Sequence, residues 1–265
     1  MTTEDARSKF RALHEQGTFL MPNPHDVGSC RLLASLGFEA LATTSGGFAA
    51  SLGRLDMSTT RDELGQHVSN LCVATELPVS VDAEQCFPTS PGGISVTVEM
   101  LAEAGAAGCS IEDWDPDEQR ITELSLAVDR VQIAAQVAER AGLVLTARAE
   151  NHLRGRDDLD DTIERLAAFR AAGAHVVYAP GLRDISAIAR VTQEVGGPVN
   201  VLLVPGGPSR DQLSAVGVRR LSVGSTFAQH AYGALVDAAN HLLATGHLDA
   251  AAPRLSRELA TSAFS

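Results

Sequence analysis

No Lys/Arg-rich run occurs anywhere in the 265 residues, and the formal net charge is −12. A phosphate backbone is held by clustered cations, so nucleic acid is not an expected partner. No apolar run approaches the roughly 20 residues that a bilayer-spanning helix needs, so no membrane partner is expected either. The first residues, Met-Thr-Thr-Glu-Asp-Ala-Arg, are polar and acidic and lack the apolar stretch of a secretory leader. Cysteine is scarce: Cys30, Cys72, Cys86 and Cys109 show neither zinc-ligand nor redox spacing. Three of them lie in apolar segments and read as small core residues in a reducing compartment, which makes the cytoplasm the expected location. There is no internal repeat, no low-complexity segment and no break in composition, so residues 1–265 read as one domain.

Within those bounds the chain is rich in strand–helix alternation. Hydrophobic residues make up 45% of it, enough for a large core. After a polar helix over 3–16, short apolar strands are predicted at 18–22, 39–43, 78–84, 108–112, 143–150, 175–178, 199–204 and 218–223, each followed by a helical pattern. Gly37, Gly105, Gly142, Gly173 and Gly217 fall just after helices, where C-terminal glycines belong. Eight such units predict a parallel sheet closed into a (β/α)8 TIM barrel.

Three consecutive strands end in carboxylates. Residues 78–84 (Pro-Val-Ser-Val-Asp-Ala-Glu) put Ser80, Asp82 and Glu84 on one face. Residues 108–113 put Ser110 and Glu112 on one face, and residues 143–150 do the same for Thr146, Arg148 and Glu150. In a barrel, chemistry sits at these strand ends. A salt-bridge network around Arg148 is one reading. Four carboxylates against one guanidinium leave excess negative charge, which points instead to a hard cation such as Mg²⁺ or Mn²⁺. Arg148 would then meet a substrate carboxylate or a developing oxyanion.

Other residues carry weaker signals. Ser45-Gly46-Gly47 offers a hydroxyl and unobstructed backbone N–H groups, either a carboxylate cradle or only a turn. Asp56 is a further metal acid or a solvated loop acid. Asn200, in mid-strand, is a substrate hydrogen-bond donor or a satisfied core amide. The glycine-bearing loops at 204–208 and 224–225 stand where many barrels bind phosphate, but they lack lysine, and Pro205 and Pro208 remove two donors. His25 is a possible proton carrier, and Cys86 has no adjacent histidine to activate it.

Taken in order, Leu20-Met-Pro-Asn23, Ala42-Thr-Thr-Ser-Gly46, Leu52-Gly-Arg-Leu-Asp56, Ser80-Val-Asp-Ala-Glu84, Ser110-Ile-Glu-Asp113 and Thr146-Ala-Arg-Ala-Glu150 resemble the isocitrate lyase/phosphoenolpyruvate mutase superfamily over roughly residues 18–240. The nearest likeness is to its short, mutase-like bacterial members. The resemblance implies a Mg²⁺-dependent barrel, commonly a homotetramer with its last helix swapped between subunits. It implies cleavage or formation of a C–C or P–C bond beside a small 2-oxo or 2-hydroxy carboxylate, through an enolate held on the metal. It matches Asp82 to the principal metal ligand, and Asp56, Glu84 and Glu112 to acids holding the metal mostly through water. Ser45, Gly46 and Gly47 match the oxyanion cradle, and Arg148 the substrate-binding arginine. Catalytic roles would thus fall to Arg148, Ser45 and Glu112, with Asn200 among the substrate contacts.

The chain also departs from the pattern. Glu84 stands where many members have aspartate. The loop at 113–123 lacks the lyases' Lys-Lys/Arg-Cys-Gly-His sequence and the mutases' lysine and asparagine, which leaves the proton donor unassigned. Tyr178-Ala-Pro-Gly181 lacks the histidine or glutamate that many members carry there. The expected function is a lyase or decarboxylase. A phosphonomutase or hydrolase is the alternative within the superfamily, and a non-catalytic 2-oxo-acid binder the alternative outside catalysis. Two further expectations concern the periphery. The long acidic loop at 113–123, with Trp114 and its sole cation Arg120, reads as a lid. The helix over 225–244 has apolar residues on more than one side and should find a second partner in another subunit.

Overall fold

A computed structural model describes residues 1–265, which run as α1 (Thr3–Ala12), β1 (Phe19–Met21), α2 (Val27–Ser35), β2 (Leu41–Ala42), α3 (Ser45–Ser51), α4 (Arg61–Ala74), β3 (Val79–Val81), α5 (Gly93–Glu103) and β4 (Gly108–Glu112). They continue through β5 (Trp114–Asp115), β6 (Arg120–Ile121), α6 (Leu124–Ala141), β7 (Val144–Arg148), α7 (Leu159–Ala171), β8 (Val176–Tyr178) and α8 (Ile185–Val195). The last elements are β9 (Val199–Leu202), α9 (Arg210–Ala215), β10 (Arg220–Ser222), α10 (Thr226–Thr245) and α11 (Arg257–Phe264).

Eight strands pair in parallel in the order β1-β10-β9-β8-β7-β4-β3-β2. The two ends of this sheet meet where the Ala42 N–H donates to the Pro22 carbonyl at 3.0 Å. Asn23 reinforces the seam. Its Nδ2 donates to the Thr43 carbonyl at 2.7 Å, and its Oδ1 accepts from Val223 and Gly224 N–H at 2.9 and 3.0 Å. A nearly closed (β/α)8 barrel results, as the alternation predicted.

Strand alternation divides the side chains into two sets. Val81, Cys109, Ile111, Leu145, Val177, Val201 and Leu221 join the helices in one large apolar cluster. Ser80, Ser110, Thr146, Asn200, Arg220 and Ser222 instead line a cavity inside the barrel. Barrel interiors are usually filled by branched apolar side chains. Here small polar groups leave the upper interior open.

The floor is closed by α1. Phe10 and His14 meet Phe19 of β1 edge to face, with His14 4.9 Å from Phe10 and 5.1 Å from Phe19 between ring centroids. Glycine is required at 108, because a Cβ there would stand 2.6 Å from the Val144 carbonyl oxygen and 2.8 Å from Phe10 Cε1. The His14 Nδ1–H donates to the Phe10 carbonyl at 2.8 Å, so Nε2 is the acceptor facing Arg220 Nη1 at 3.4 Å. Burial, with Arg220 opposite, lowers His14 to about 3. The unfolded chain takes up this proton near pH 6.5 and the folded chain only near 3, so stability is full above 6.5 and declines as pH falls through that window. Urea denaturation should show the pH 7 to pH 5 loss to be smaller by about 2 kcal/mol in His14→Gln than in the wild type. An equal loss in both would show that His14 does not titrate on unfolding.

Three elements differ from the sequence expectation. Residues 45–47 open helix α3 instead of forming a turn, with Thr44 as its N-cap. The loop at 113–123 contains the antiparallel hairpin β5–β6. The tail beyond Pro253, which from its sequence reads as a terminal arm, carries helix α11, which packs on α2 and accepts a hydrogen bond at the Phe264 carbonyl from Arg31 Nη1 at 3.3 Å. Helix α10 stands away from the barrel. Only Ala228 on it is buried, and Leu235 is 64% and Leu243 84% exposed.

Candidate active site

Parallel register brings the ends of β4, β7 and β8 level, with Glu112 opposite Arg148 and Arg148 opposite Tyr178. Arg148 is the hub. Its Nη1 donates to Asp82 Oδ1 at 2.7 Å, and its Nη2 lies 3.1 Å from Glu112 Oε2 and 2.8 Å from Glu150 Oε1. Its Nε donates to Glu150 Oε1 at 2.9 Å. The salt-bridge network considered from the sequence therefore exists, but it is not balanced. Three carboxylates share one guanidinium, and Glu84 lies nearby with no cation of its own.

The imbalance shows in individual atoms. Glu84 Oε1, Glu112 Oε1 and Glu150 Oε2 are buried and have no hydrogen-bond partner. Burial pushes Glu84 up to about 8, and the charges of Asp82 and Asp56 push in the same direction. Burial also raises Glu112 well above the usual carboxylate range, with Arg148 opposing. The backbone here is strained as well. Glu84, Cys86 and Phe87 adopt left-handed φ values of 52°, 59° and 48°. Non-glycine residues accept such values only where surrounding structure imposes them.

Ser45 approaches from α3, its N–H donating to Asp82 Oδ2 at 3.1 Å. Asp82 is in turn fixed by its own N–H, which donates to Thr43 Oγ1 at 2.8 Å. Gly46 and Gly47 matter for close approach. A Cβ on Gly46 would lie 2.9 Å from Ser225 Oγ and 3.2 Å from the Asp56 carboxyl. One on Gly47 would lie 2.5 Å from Thr44 Cγ2. The glycines thus let the Asp56 loop and the start of α10 close over α3.

These side chains surround a cavity of about 330 Å³. Ser45, Asp56, Asp82 and Arg148 line its upper part, and Thr146, Asn200, Arg220 and Ser222 its lower part. Gly46, Gly47, Glu84 and Glu112 are not on its wall; Glu84 borders a small closed void behind Asp82. Gly224 and Ser225 reach the cavity, whereas residues 205–208 do not. His25 and Cys86 are also absent from the wall, and burial raises the Cys86 thiol well above its usual range.

The hairpin does not place its distinctive residues in the cavity. Trp114 lies against the Arg154 guanidinium, 4.2 Å from ring centroid to Cζ, and Arg120 is exposed. Its base is pinned. Asp113 accepts the Glu150 N–H at 2.9 Å and Arg165 Nη1 at 3.2 Å, and the same Nη1 donates to the Thr122 carbonyl at 2.9 Å. Sequence reading missed Arg220 and Tyr178 as cavity residues. For Arg220 the signal was the alternation Arg220–Leu221–Ser222, which puts the arginine on the same face as a small polar residue.

A divalent cation fits this donor set in one particular way. No three acidic, histidine or cysteine side chains converge as a cage. A hard cation that keeps several waters needs only one or two carboxylates directly. Asp82 is on the wall, and the orphaned oxygens of Glu84 and Glu112 behind it suit water-mediated contacts to such an ion.

The chain matches the family model described as phosphoenolpyruvate phosphomutase over residues 10–243. A crystal structure from Burkholderia cenocepacia J2315, described as a lyase/mutase, is 43% identical, covers 99% of this chain and 96% of that one, and superposes with a TM-score of 0.94. An uncharacterized Mycobacterium tuberculosis (strain H37Rv) protein is 32% identical over 220 residues, 82% of this chain and 81% of that one. The oxaloacetate decarboxylase of Rhodopseudomonas palustris (strain BisA53) is 31% identical over 221 residues, 79% of this chain and 73% of that one. Sequence motifs, barrel and matches agree: the chain belongs to the phosphoenolpyruvate phosphomutase family, within the isocitrate lyase/PEP mutase superfamily of C–C and P–C bond lyases and mutases.

Proposed function

We propose that the protein is a Mg²⁺- or Mn²⁺-dependent lyase or decarboxylase that cleaves the C–C bond next to a 2-oxo or 2-hydroxy acid. The observation that carries this reading is Asp82 on the cavity wall, backed by the partnerless buried oxygens of Glu84 and Glu112. Asp82 would hold the cation directly, and Asp56, Glu84 and Glu112 through water. When bound, such a cation polarises the oxygen of a 2-oxo acid and stabilises negative charge developing there.

The chain's own groups supply the rest. Ser45 presents its hydroxyl at the cavity wall beside Asp82, where it can donate to a substrate carboxylate. Arg148 keeps Asp82 in place and has one N–H on Nη1 beyond the contacts described. Asn200 is oriented, with Nδ2 donating to Ser222 Oγ at 2.9 Å. Leu153 and Pro180 add apolar surface to the cavity wall. A phosphonomutase or hydrolase is the second reading, supported by likeness to a Burkholderia cenocepacia structure described as a phosphonomutase. A 2-oxo-acid binder without turnover is the third.

A panel of oxaloacetate, substituted malates and phosphonopyruvate, assayed with Mg²⁺ for pyruvate release and for phosphoenolpyruvate formation, separates the three. Release from an oxaloacetate- or malate-type compound is expected. Turnover of phosphonopyruvate alone would transfer the assignment to P–C chemistry, and oxalate binding with no turnover would make the protein a binder. We propose a cytoplasmic location for this activity, on the free thiols of Cys30, Cys72, Cys86 and Cys109. No helix of the structure is long and apolar enough to cross a membrane.

The assembly is proposed to be a homotetramer. Helix α10 leaves Val236, Leu242 and Leu243 exposed together with Leu235, an apolar surface that one barrel does not cover. Light scattering should show an oligomer at micromolar concentration; a stable monomer there would contradict it.

A further inference from the structure

The two arginines of the cavity are in opposite electrostatic conditions. Arg148, near the top, is surrounded by Asp82, Glu112 and Glu150. Arg220, on the floor, is 3% exposed and has no carboxylate partner at all. Its contacts are neutral: Nε donates to Asn200 Oδ1 at 2.9 Å, Nη2 to Thr146 Oγ1 at 2.9 Å, and Nη1 faces His14 Nε2 at 3.4 Å. A buried guanidinium without a counter-charge is costly, and burial lowers Arg220 to about 9. A barrel that needed only a plug there could use a branched apolar side chain.

The donor count is specific. A guanidinium has five N–H groups. Asn200, Thr146 and His14 take three, which leaves two, one on each terminal nitrogen. Two N–H groups on adjacent nitrogens suit the two oxygens of a carboxylate. The arginine lines the same cavity as Ser45 and Asp82. An anion entering that cavity finds the upper guanidinium neutralised and this lower one free.

We propose that Arg220, held by Asn200 and Thr146, is the receptor for the second carboxylate of a dicarboxylate ligand that enters the barrel carboxylate-first. The idea rests on the reading of the cavity as a 2-oxo-acid site, whose reacting end stays at Ser45 and Asp82. Arg220 then determines specificity: it favours dicarboxylates over monocarboxylates and uncharged analogues. It makes Asn200 a positioning residue, since Asn200 Oδ1 orients the guanidinium while one of its two Nδ2 N–H groups anchors it to Ser222.

The test uses succinate, a four-carbon dicarboxylate without an oxo group, and its uncharged analogue succinamide, titrated into the full chain without metal. Succinate is expected to bind at least tenfold more tightly than succinamide, and Arg220→Met is expected to abolish that preference. A wild type that does not prefer succinate, or an Arg220→Met variant that keeps the preference, overturns the proposal. Should Arg220→Met fail to fold, a crystal structure of the wild type with succinate decides: a carboxylate within hydrogen-bonding distance of the Arg220 guanidinium supports the floor site, and succinate bound only elsewhere overturns it. Oxalate titrated with Mg²⁺ tests the 2-oxo-acid reading separately. If oxalate fails while the Arg220-dependent preference persists, that reading falls and the floor site stands.

Discussion

Arg148→Met is expected to destabilise the fold by about 3–5 kcal/mol at pH 7.5, the range for stranding buried charges by removing one partner. For a chain of this size that is a fall in Tm of about 10 °C. The reason lies in what is left behind. The Glu112 and Glu150 side chains are 3% and 0% exposed, and both would lose their only charged partner within 3.5 Å. Methionine matches much of the arginine's length, so loss of packing is a minor part of the effect. Protonation relieves the variant. With the cation gone, the Glu112 carboxyl, already raised by burial, lies further above its unfolded pKa, so the deficit is full at high pH and shrinks as pH falls and it takes up a proton. Pairing Arg148→Met with Glu150→Gln should recover a substantial part of the loss, because a neutral amide tolerates burial better than a lone carboxylate. A single-variant cost below about 1 kcal/mol in urea denaturation would mean that the cluster is already largely protonated or solvated.

The position of this cluster was legible in the sequence because strand alternation has a period of two. Asp82, Glu112 and Arg148 each lie an even number of residues from a small polar residue on the same strand, and that parity set their inward face. The barrel was legible for the same reason, with glycines punctuating the helices. What parity cannot give is distance across the barrel. It put Glu84 on the face of Asp82, but the left-handed turn at Glu84, with φ of 52°, carries its carboxyl behind the wall. It also did not show that Glu150 would take two contacts from Arg148. The turn expected at residues 45–47 became a helix because Thr44 caps it, and a Thr-Ser-Gly-Gly sequence carries no strong helical propensity of its own. The hairpin at 114–121 was hidden because two-residue strands leave no periodic trace. Arg220 was missed because an arginine beside Arg219 at a strand's start reads as surface charge. The alternation with Ser222 pointed inward, and the register, with Arg220 opposite Asn200 and Phe19, puts it there.

Asp82→Asn is expected to lower Mn²⁺ affinity and metal-dependent turnover by at least about 100-fold while leaving the chain folded, since Arg148 keeps Glu112 and Glu150 as partners. Asparagine keeps the shape of the side chain, but its single oxygen can accept from Arg148 Nη1 or from the Ser45 N–H and not from both, so one of these two hydrogen bonds is lost while the local packing survives. It removes the charge from the one acid that combines three properties. Asp82 lies on the cavity wall, its side chain is 19% exposed, and both its oxygens are already held, by Arg148 at 2.7 Å and by Ser45 at 3.1 Å. Oδ2 retains a second lone pair for a cation, whereas Oδ1 also accepts from Ser110 Oγ at 3.4 Å. Glu84 and Glu112 are too buried to serve as the point of entry, and Asp56 is exposed on a loop. Glu84→Gln should therefore weaken the metal less than Asp82→Asn does, since it touches the ion through water, and this ranking separates a direct ligand from outer acids. Mn²⁺ titration followed by electron paramagnetic resonance gives the affinity without requiring turnover. Wild-type Mn²⁺ affinity in Asp82→Asn would remove Asp82 as the metal's near ligand and with it the proposed placement of the reacting end of the substrate.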